Sequence, residues 1–311
     1  MPGGRRCTCP DKAEPAFARI TTGSTDGMIR LAGGTFQMGT KDKVGFPADG
    51  EGPVRHVHLD GFHLDENSVT NADFARFIEQ TGYRTDAEAF GYSYVFHLLL
   101  EQGLRTELIM LGRQLQGVPW WLHVEGADWR QPEGPGSDLT GRWDHPVVHV
   151  SWRDAHAYCV WAGKRLPTEA EIEYAARGGL VQKRYCWGDH LLQRGRHMCN
   201  IWQGDFPGVN TADDGFVGTA PARSFEPNGY GLYNMAGNVW EWAFDRWSPT
   251  FHVKGPRTNP IGPPEGDRRV TRGGSYLCHD SYCNRYRVAA RTSNTPDSSS
   301  GNTGFRCARD R

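Results

Sequence analysis

The sequence predicts a single α+β domain with little regular secondary structure. The 39 glycines and 19 prolines make up 58 of the 311 residues, well above average usage, which indicates many turns. The chain also contains 11 Trp, 14 Phe and 11 Tyr residues, so it can bury a large core and is not disordered. Helical patterns occur before about residue 180, and short apolar pieces between Gly and Asn dominate afterwards.

The first part of the domain shows clear strand patterns. Residues 28–39 read as a strand, a glycine turn and a second strand. Alternating polar and apolar residues at 54–59 predict a half-buried strand. His56 and His58 then share one face of that strand, either as metal ligands or as a solvated surface.

Three helices are predicted from their terminal residues. Each begins at a residue that caps a helix through its side chain and ends at a glycine. They run from Thr70 to Gly82, from Ser151 to Gly163, and from Thr168 to Gly178, the last with a Thr-Glu-Ala-Glu capping box.

Composition excludes several functions. The formal charge of -1 leaves no basic surplus for nucleic acid, and no apolar run approaches the roughly 18 residues of a membrane span.

Residues 1–26, including Cys7 and Cys9, are expected to form a flexible tail before a domain at 27–311, with an excursion at about 100–145. No apolar run follows Arg5 and Arg6, so we expect a cytoplasmic protein. We also expect a monomer.

The segment richest in potentially reactive side chains surrounds Cys278 and Cys283. Five residues would separate these thiols by roughly 17 Å in an extended chain, so they meet only if the chain loops back. Three interpretations remain open from spacing: a structural disulfide or inert thiols, a redox-active dithiol, and a two-thiolate metal site. Two soft sulfurs suit Cu(I) better than tetrahedral zinc. Four nearby residues would lower the thiol pKa if they also surround it in space: Arg272, His279, Arg285 and Arg287.

The segment around this pair resembles the formylglycine-generating enzymes, the sulfatase-modifying oxidases. The Cys-x4-Cys stretch is the specific part, whereas the Arg-Leu-Pro-Thr-Glu-Ala-Glu and Gly-Asn-x-Trp-Glu-Trp runs mark only the wider superfamily. The resemblance covers roughly residues 28–309 and implies the C-type-lectin-like variant of an α+β fold. The similar stretches are 163–171, 200–204, 228–234, 237–242, 272–279, 281–287, 294–299 and 304–307.

The resemblance implies a copper-dependent oxidase that activates sulfatases after translation. Cys278 and Cys283 would hold one Cu(I), and dioxygen would be the co-substrate. The substrate would be an unfolded sulfatase polypeptide whose cysteine, in a Cys-x-Pro-x-Arg motif, becomes formylglycine. No membrane or nucleic acid partner is implied.

Further site residues follow from the same resemblance. Ser275 would donate a hydrogen bond near the reacting sulfur, Trp240 would wall the oxygen pocket, and Tyr282 would lie beside the metal. His279 and Arg287 lie in the matching segment with less defined roles.

The resemblance also implies a peptide groove. Its expected members are Tyr92, Ser93, Tyr94 and Asn302. Tyr92 replaces an acidic residue that pairs with the substrate arginine in some members, and an aromatic ring there can stack on a guanidinium instead.

Two structural calcium ions are implied as well. The first would bind at Asn200, Ile201, Asp214 and Phe216, and the second at Asn234, Gly237, Val239 and Glu241.

The remaining cysteines bear on the cellular compartment. Cys159 and Cys307 match a disulfide of secretory members, whereas a second such pair is replaced by Ala176 and Val288. We therefore expect Cys159 and Cys307 to be neighbouring, reduced thiols in a reducing compartment.

Three rival functions compete with this one. A non-catalytic paralogue would lack the active cysteines, whereas this chain keeps both and Ser275. An iron-dependent sulfoxide synthase needs an added helical domain, for which this chain has no room. The third is a plain dithiol oxidoreductase.

Overall fold

Short helices and strands joined by long ordered loops make up the structure, a computed structural model that describes residues 15–311. Cys7 and Cys9 lie outside the described residues. The helices are α1 Asn71–Thr81, α2 Asp86–Phe90, α3 Gln102–Met110, α4 Trp152–Trp161, α5 Glu169–Arg177 and α6 Phe251–Lys254. The strands are β1 Met28–Leu31, β2 Gly34–Met38, β3 Arg55–Leu59, β4 Phe62–Asp65, β5 Tyr92–Phe96, β6 Gln114–Leu115, β7 Val118–Glu125, β8 Gly204–Asp205, β9 Val209–Asn210, β10 Trp240–Arg246, β11 Arg269–Arg272, β12 Thr292–Asn294, β13 Thr303–Gly304 and β14 Ala308–Asp310.

Small sheets carry the strands. A four-stranded sheet has the order β12-β11-β10-β13, in which β13 runs parallel to β10 and the other pairs are antiparallel. A three-stranded sheet β1-β4-β14 joins the start of the domain to its end. Another, β5-β7-β6, is formed largely by the predicted excursion, which therefore belongs to the folded unit.

The three helices predicted from their caps are confirmed as α1, α4 and α5. Thr70, Ser151 and Thr168 each accept a hydrogen bond from the third residue of the helix, whose acidic side chain accepts from the cap backbone in return. Gly82 ends α1 at φ 64°, a left-handed conformation that glycine adopts without steric cost. Local side-chain chemistry thus fixes these boundaries.

Aromatic and aliphatic side chains form two main core clusters. One includes Leu64 and Val270 together with both cysteines of the Cys-x4-Cys pair. The other is rich in aromatics such as Phe74, Trp152 and Phe305. Truncating a buried aromatic of this kind to Ala costs about 3–5 kcal/mol, so these clusters hold the loops that carry the site.

Buried arginines fasten the segment that follows the cysteine pair. Arg287 forms two hydrogen bonds of 2.5 and 2.6 Å with Glu51, and Arg291 pairs with Glu169 at 2.6 Å. Removing one partner of a buried pair costs about 3–5 kcal/mol, because the other charge stays unpaired. These pairs therefore tie the segment to a loop near residue 50 and to α5.

Residues 17–23, expected to lie in a flexible tail, pack on the domain instead. The Ile20 amide donates to the Asp310 carboxylate at 2.7 Å, and the Gly23 amide donates to the Gly163 carbonyl at 2.8 Å. The Phe17 ring lies 5.1 Å from that of Phe244. The packed unit therefore extends to the N-terminal side of residue 27.

Two further predictions concern surfaces and membranes. His56 and His58 are both exposed on β3, as the alternating pattern predicted. Within residues 15–311, no helix has the length and apolar character that crossing a membrane requires.

Candidate active site

Cys278 and Cys283 are brought together by a loop that turns back on itself. The Cys278 amide donates to the Ser275 carbonyl at 2.9 Å, and the Cys283 amide donates to the His279 carbonyl at 2.8 Å. These two turns bring the Cα atoms to 4.9 Å, and the sulfurs are bonded to each other as a disulfide. The loop-back that the spacing required is therefore present.

The two cysteines line a cavity of about 450 Å³. A larger depression of about 790 Å³ lies beside Asp65 and Lys164, whose charges are paired at 2.7 Å, and contains no predicted site residue. The predicted residues that line the smaller cavity are Tyr94, Trp240, Ser275, Cys278, Tyr282, Cys283 and Asn302. Seven positions spread over more than 200 residues of sequence thus meet at one opening.

Ser275 stands at the centre of a hydrogen-bond network next to the sulfurs. Its amide donates to the Cys278 sulfur at 3.4 Å, which favours a thiolate once the disulfide is reduced. Its hydroxyl oxygen accepts from the Asn302 side-chain amide at 2.9 Å and from the Leu277 amide at 3.3 Å. Neither bond uses the hydroxyl proton, which can therefore be donated to another group.

Asn302 is itself held from two sides. The Ser300 hydroxyl donates to its side-chain oxygen at 2.8 Å, and its carbonyl accepts from the Trp240 amide at 2.8 Å. Because Trp240 begins β10 beside β13, the parallel pairing of these strands sets the relative positions of Trp240, Asn302 and Ser275.

Aromatic side chains that the sequence did not single out form one wall. Trp120 and Trp121 of β7 line the cavity. The Tyr282 ring stacks on Phe206 at 4.7 Å and meets Trp120 edge-on at 4.8 Å. Burial raises the pKa of Tyr282, so its phenol is neutral at physiological pH. The adjacent tryptophans in the excursion were the available sequence signal for this wall.

The arginines near the pair in sequence do not act as free cations around it. Arg285 bonds the Asp49 carboxylate at 2.6 Å, Arg272 pairs with Glu173 at 2.6 Å, and Arg287 pairs with Glu51. Of these arginines, only Arg285 is among the cavity-lining residues that the structure describes. The expected lowering of the thiol pKa by surrounding arginines therefore has little support in their placement.

The groove residues divide between the two faces of β5. Tyr94 lines the cavity, whereas Ser93 is fully buried and bonds the His149 Nδ1 and the Ser299 hydroxyl, each at 2.8 Å. Ser93 therefore anchors β5 to the neighbouring loop and does not face the groove. Tyr92 lies beyond the cavity lining, stacked on His123 at 3.9 Å between ring centres.

The donor set at the cysteine pair fits a soft, low-coordinate metal. Reduction would give two thiolates at the wall of an open cavity. Among the described residues, no group of three or more His, Cys, Asp or Glu side chains is placed to hold a metal ion. Two sulfurs without further side-chain ligands suit Cu(I) and not the four ligands of zinc.

The first predicted calcium set also fits a hard cation. The Asp214 carboxylate accepts from the Ile201 amide at 2.9 Å and from the Phe216 amide at 3.0 Å, so these residues share one loop cluster. The buried Asn200 Oδ1 has no hydrogen-bond partner within the described residues. The Gln203 side-chain amide donates to both the Ile201 carbonyl and the Asp214 carboxylate. A bound ion would compete with this amide for the same two oxygens.

In the second predicted calcium set, protein donors already occupy most of the acceptor positions of the Glu241 carboxylate. Glu241 accepts from Arg306 at both oxygens, at 2.7 and 2.8 Å, and from the Ser68 hydroxyl at 2.6 Å. A carboxylate offers about four acceptor positions, so one remains for an ion. The buried Asn234 Oδ1 has no hydrogen-bond partner in residues 15–311, which also fits a bound cation.

Comparison with known proteins identifies the family. The model of the sulfatase-modifying factor enzyme 1-like domain matches residues 13–311, and the chain belongs to this family.

Named relatives and a solved structure agree with this placement. The chain is 63% identical over 287 residues to the formylglycine-generating enzyme of Streptomyces coelicolor, covering 92% of this chain and 90% of that protein. It is 47% identical over 295 residues to the inactive C-alpha-formylglycine-generating enzyme 2 of Bos taurus, covering 94% and 91%. The structure of PvdO from Pseudomonas aeruginosa matches with a TM-score of 0.65 at 23% identity, over 95% of this chain and all of that one, which shows the fold. The predicted family and fold class are confirmed.

Proposed function

We propose that this chain is a formylglycine-generating oxidase that converts a sulfatase cysteine to formylglycine. Family membership and the 63% identity to an enzyme of that name support the general activity. Because a relative at 47% identity is named inactive, the residues at the site carry the rest of the proposal. The observation that carries it furthest is the cysteine pair at the wall of a cavity of about 450 Å³.

The metal of the proposal is copper(I), held by Cys278 and Cys283 after their disulfide is reduced. When held by these two sulfurs, copper(I) would supply the redox chemistry by which dioxygen oxidises a substrate thiolate. The Ser275 amide hydrogen bond to Cys278 supports the thiolate form that such binding needs.

The protein side chains position the substrate cysteine. The Ser275 hydroxyl keeps its proton for donation to the incoming sulfur, while Asn302 fixes the orientation of that hydroxyl. Trp240, Trp120 and Tyr282 supply aromatic walls on which the substrate segment can pack.

The overall conversion balances with dioxygen and water. The substrate CH₂–SH group loses two electrons and two protons to dioxygen, which becomes hydrogen peroxide, and the group becomes a thioaldehyde. Hydrolysis of the thioaldehyde by one water releases hydrogen sulfide and leaves the aldehyde of formylglycine. The open cavity suits an extended segment of an unfolded chain, and the segment proposed is Cys-x-Pro-x-Arg.

The test uses reduced protein loaded with Cu(I) and a Cys-x-Pro-x-Arg peptide in air. We expect aldehyde formation, detected by hydrazide capture and mass spectrometry, and its loss in Cys278→Ser and Cys283→Ser. The matched controls are Cys186→Ser and Cys199→Ser, which remove buried thiols that do not line the cavity. Aldehyde formation that survives either of the first two substitutions would refute the assignment of the copper ligands.

Three further features complete the proposal. We propose calcium at both predicted sets, with the unpartnered Asn200 oxygen as the strongest support. We propose a cytoplasmic location, supported by the free thiols of Cys159 and Cys307, whose sulfurs lie 3.4 Å apart. We also propose a monomer, which light scattering of the purified protein would test.

A further inference from the structure

A further depression, of about 330 Å³, lies between β2 and the end of α5. Its volume falls within the range of about 300–1,000 Å³ that small-molecule sites occupy. Among the described residues, it shares no lining residue with the cavity at the cysteine pair and contains no predicted site residue. Any ligand of this depression would therefore bind apart from the proposed reaction.

Aromatic rings form the walls of this depression. Phe36 of β2 meets Tyr174 of α5 edge-on at 5.3 Å, and the Tyr174 ring lies 5.5 Å from that of Tyr230. The Tyr174 hydroxyl donates to the Gly33 carbonyl at 2.9 Å, which fixes the central ring against the strand. Val181, 68% exposed, lies at the rim. These walls suit a flat, apolar body.

Arg177, the last residue of α5, adds a guanidinium to the lining. Its side chain is only 6% exposed. It donates to the Glu173 carboxylate from Nε at 3.2 Å and from Nη2 at 2.6 Å, and Nη2 also donates to the Gly39 carbonyl at 2.9 Å. The buried Nη1 has no hydrogen-bond partner within residues 15–311. A buried donor without an acceptor is costly, so an oxygen from a ligand, directly or through one water, would stabilise it.

The charges behind Arg177 leave positive charge in excess. The Glu173 carboxylate also pairs with Arg272 at 2.6 Å, and Arg272 shares Glu169 with Arg291, at 3.2 and 2.6 Å. This ladder of ion pairs thus holds three guanidinium groups against two carboxylates. Asp245, which accepts from the Glu169 amide, has its pKa raised to about 7 by burial and by Glu169, so it is only about half ionised at neutral pH. No Asp or Glu is among the described residues that line the depression, so the local charge favours an anion.

We propose that this depression binds a small carboxylate with an aromatic body. Arg177 binds the carboxylate, and the ring packs between Tyr174 and Tyr230. A carboxylate matches the planar guanidinium in shape and charge, whereas an inorganic anion such as phosphate would leave the aromatic walls unused. The site adds a ligand to the protein beyond the proposed oxidase function and requires neither copper nor the cysteine pair.

Three probes test the chemistry of the ligand. The full-length protein without added metal is titrated by calorimetry with phenylacetate, phenylacetamide and acetate. Phenylacetate should bind about tenfold more tightly than phenylacetamide, which has the same ring without the charge. Acetate, which lacks the ring, should bind at least about tenfold more weakly than phenylacetate.

One substitution tests the role of the guanidinium. Arg177→Met keeps most of the side-chain length and removes the charge, so the preference for phenylacetate over phenylacetamide should fall from about tenfold to about one. This substitution also removes the bonds to Glu173 and Gly39, so the rim provides a second test that leaves those contacts intact.

The rim test changes charge at an exposed position. Val181→Glu should weaken phenylacetate binding by about threefold and Val181→Lys should strengthen it by a similar factor, while phenylacetamide binding stays unchanged. Val160→Glu is the matched control, at a valine of α4 that is 61% exposed and does not line the depression.

Several results would overturn the proposal. It is refuted if phenylacetate does not bind at millimolar concentration, or binds no more tightly than phenylacetamide. A tenfold preference that survives Arg177→Met, or equal effects of Val181→Glu and Val160→Glu, would also refute it. None of these measurements involves turnover, so their failure leaves the proposed oxidase function standing.

Discussion

Protonation of His149 should make the stability of this protein depend on pH. The side chain is fully buried, its Nδ1 bonds Ser93 at 2.8 Å, and its amide donates to the Ser300 carbonyl at 3.0 Å. Burial lowers its pKa from 6.5 to about 4, because the charged imidazolium would lose its hydration.

The magnitude follows from the two pKa values. One pKa unit corresponds to 1.36 kcal/mol, so the fall from 6.5 to about 4 is worth about 3 kcal/mol. The unfolded chain takes up the proton first as pH falls. The contribution is therefore fully present above pH 6.5 and is lost as pH falls toward 4.

Urea unfolding of the wild type and His149→Asn at several pH values would measure this effect. Asn tolerates the positive φ of 59° at this position and does not titrate. Asp154 and Asp245 titrate with raised pKa values of about 7 and act in the opposite direction, but they are common to both proteins. The free energy of unfolding should fall by about 3 kcal/mol more in the wild type between about pH 7 and pH 4. Parallel curves for the two proteins would refute the reasoning.

Three other perturbations have defined outcomes. Asn302→Ala removes the donor to Ser275, worth about 1 kcal/mol, so kcat/KM for a substrate peptide should drop about fivefold; an unchanged value would contradict this. Glu51→Gln leaves the buried Arg287 unpaired and should lower the urea-unfolding free energy by about 3–5 kcal/mol, whereas a loss below about 1 kcal/mol would not fit. EDTA should lower the thermal midpoint, and Asp214→Asn should remove part of that response; a midpoint that ignores EDTA would count against calcium.

The predictable parts of the fold were those decided by neighbouring residues. Thr70, Ser151 and Thr168 cap their helices through residues only three positions away, so the N-terminal ends of α1, α4 and α5 could be read directly from sequence. The helices α2, α3 and α6 were missed. Thr85 and Glu88 do form a capping box at α2, but that helix has only five residues and shows no periodic apolar face.

The parts of the site that sequence reasoning missed depend on distant partners. Nothing near Arg287 in sequence shows that Glu51, 236 residues away, takes its charge. Likewise, Phe206 and Trp120 reach Tyr282 only through tertiary packing. The resemblance named residues that meet at the cavity, but it could not show that Ser93 turns to the buried face of β5.

The cavity wall is assembled from distant parts of the chain, and this has a consequence for folding. Tyr94 and Asn302 both line the cavity although more than 200 residues separate them in sequence. The position of Asn302 beside Trp240 depends on the pairing of β13 with β10, so a partly folded chain that lacks this pairing holds the two cysteines without Asn302 in place. The hydrogen bond that orients the Ser275 hydroxyl therefore forms only together with the tertiary structure.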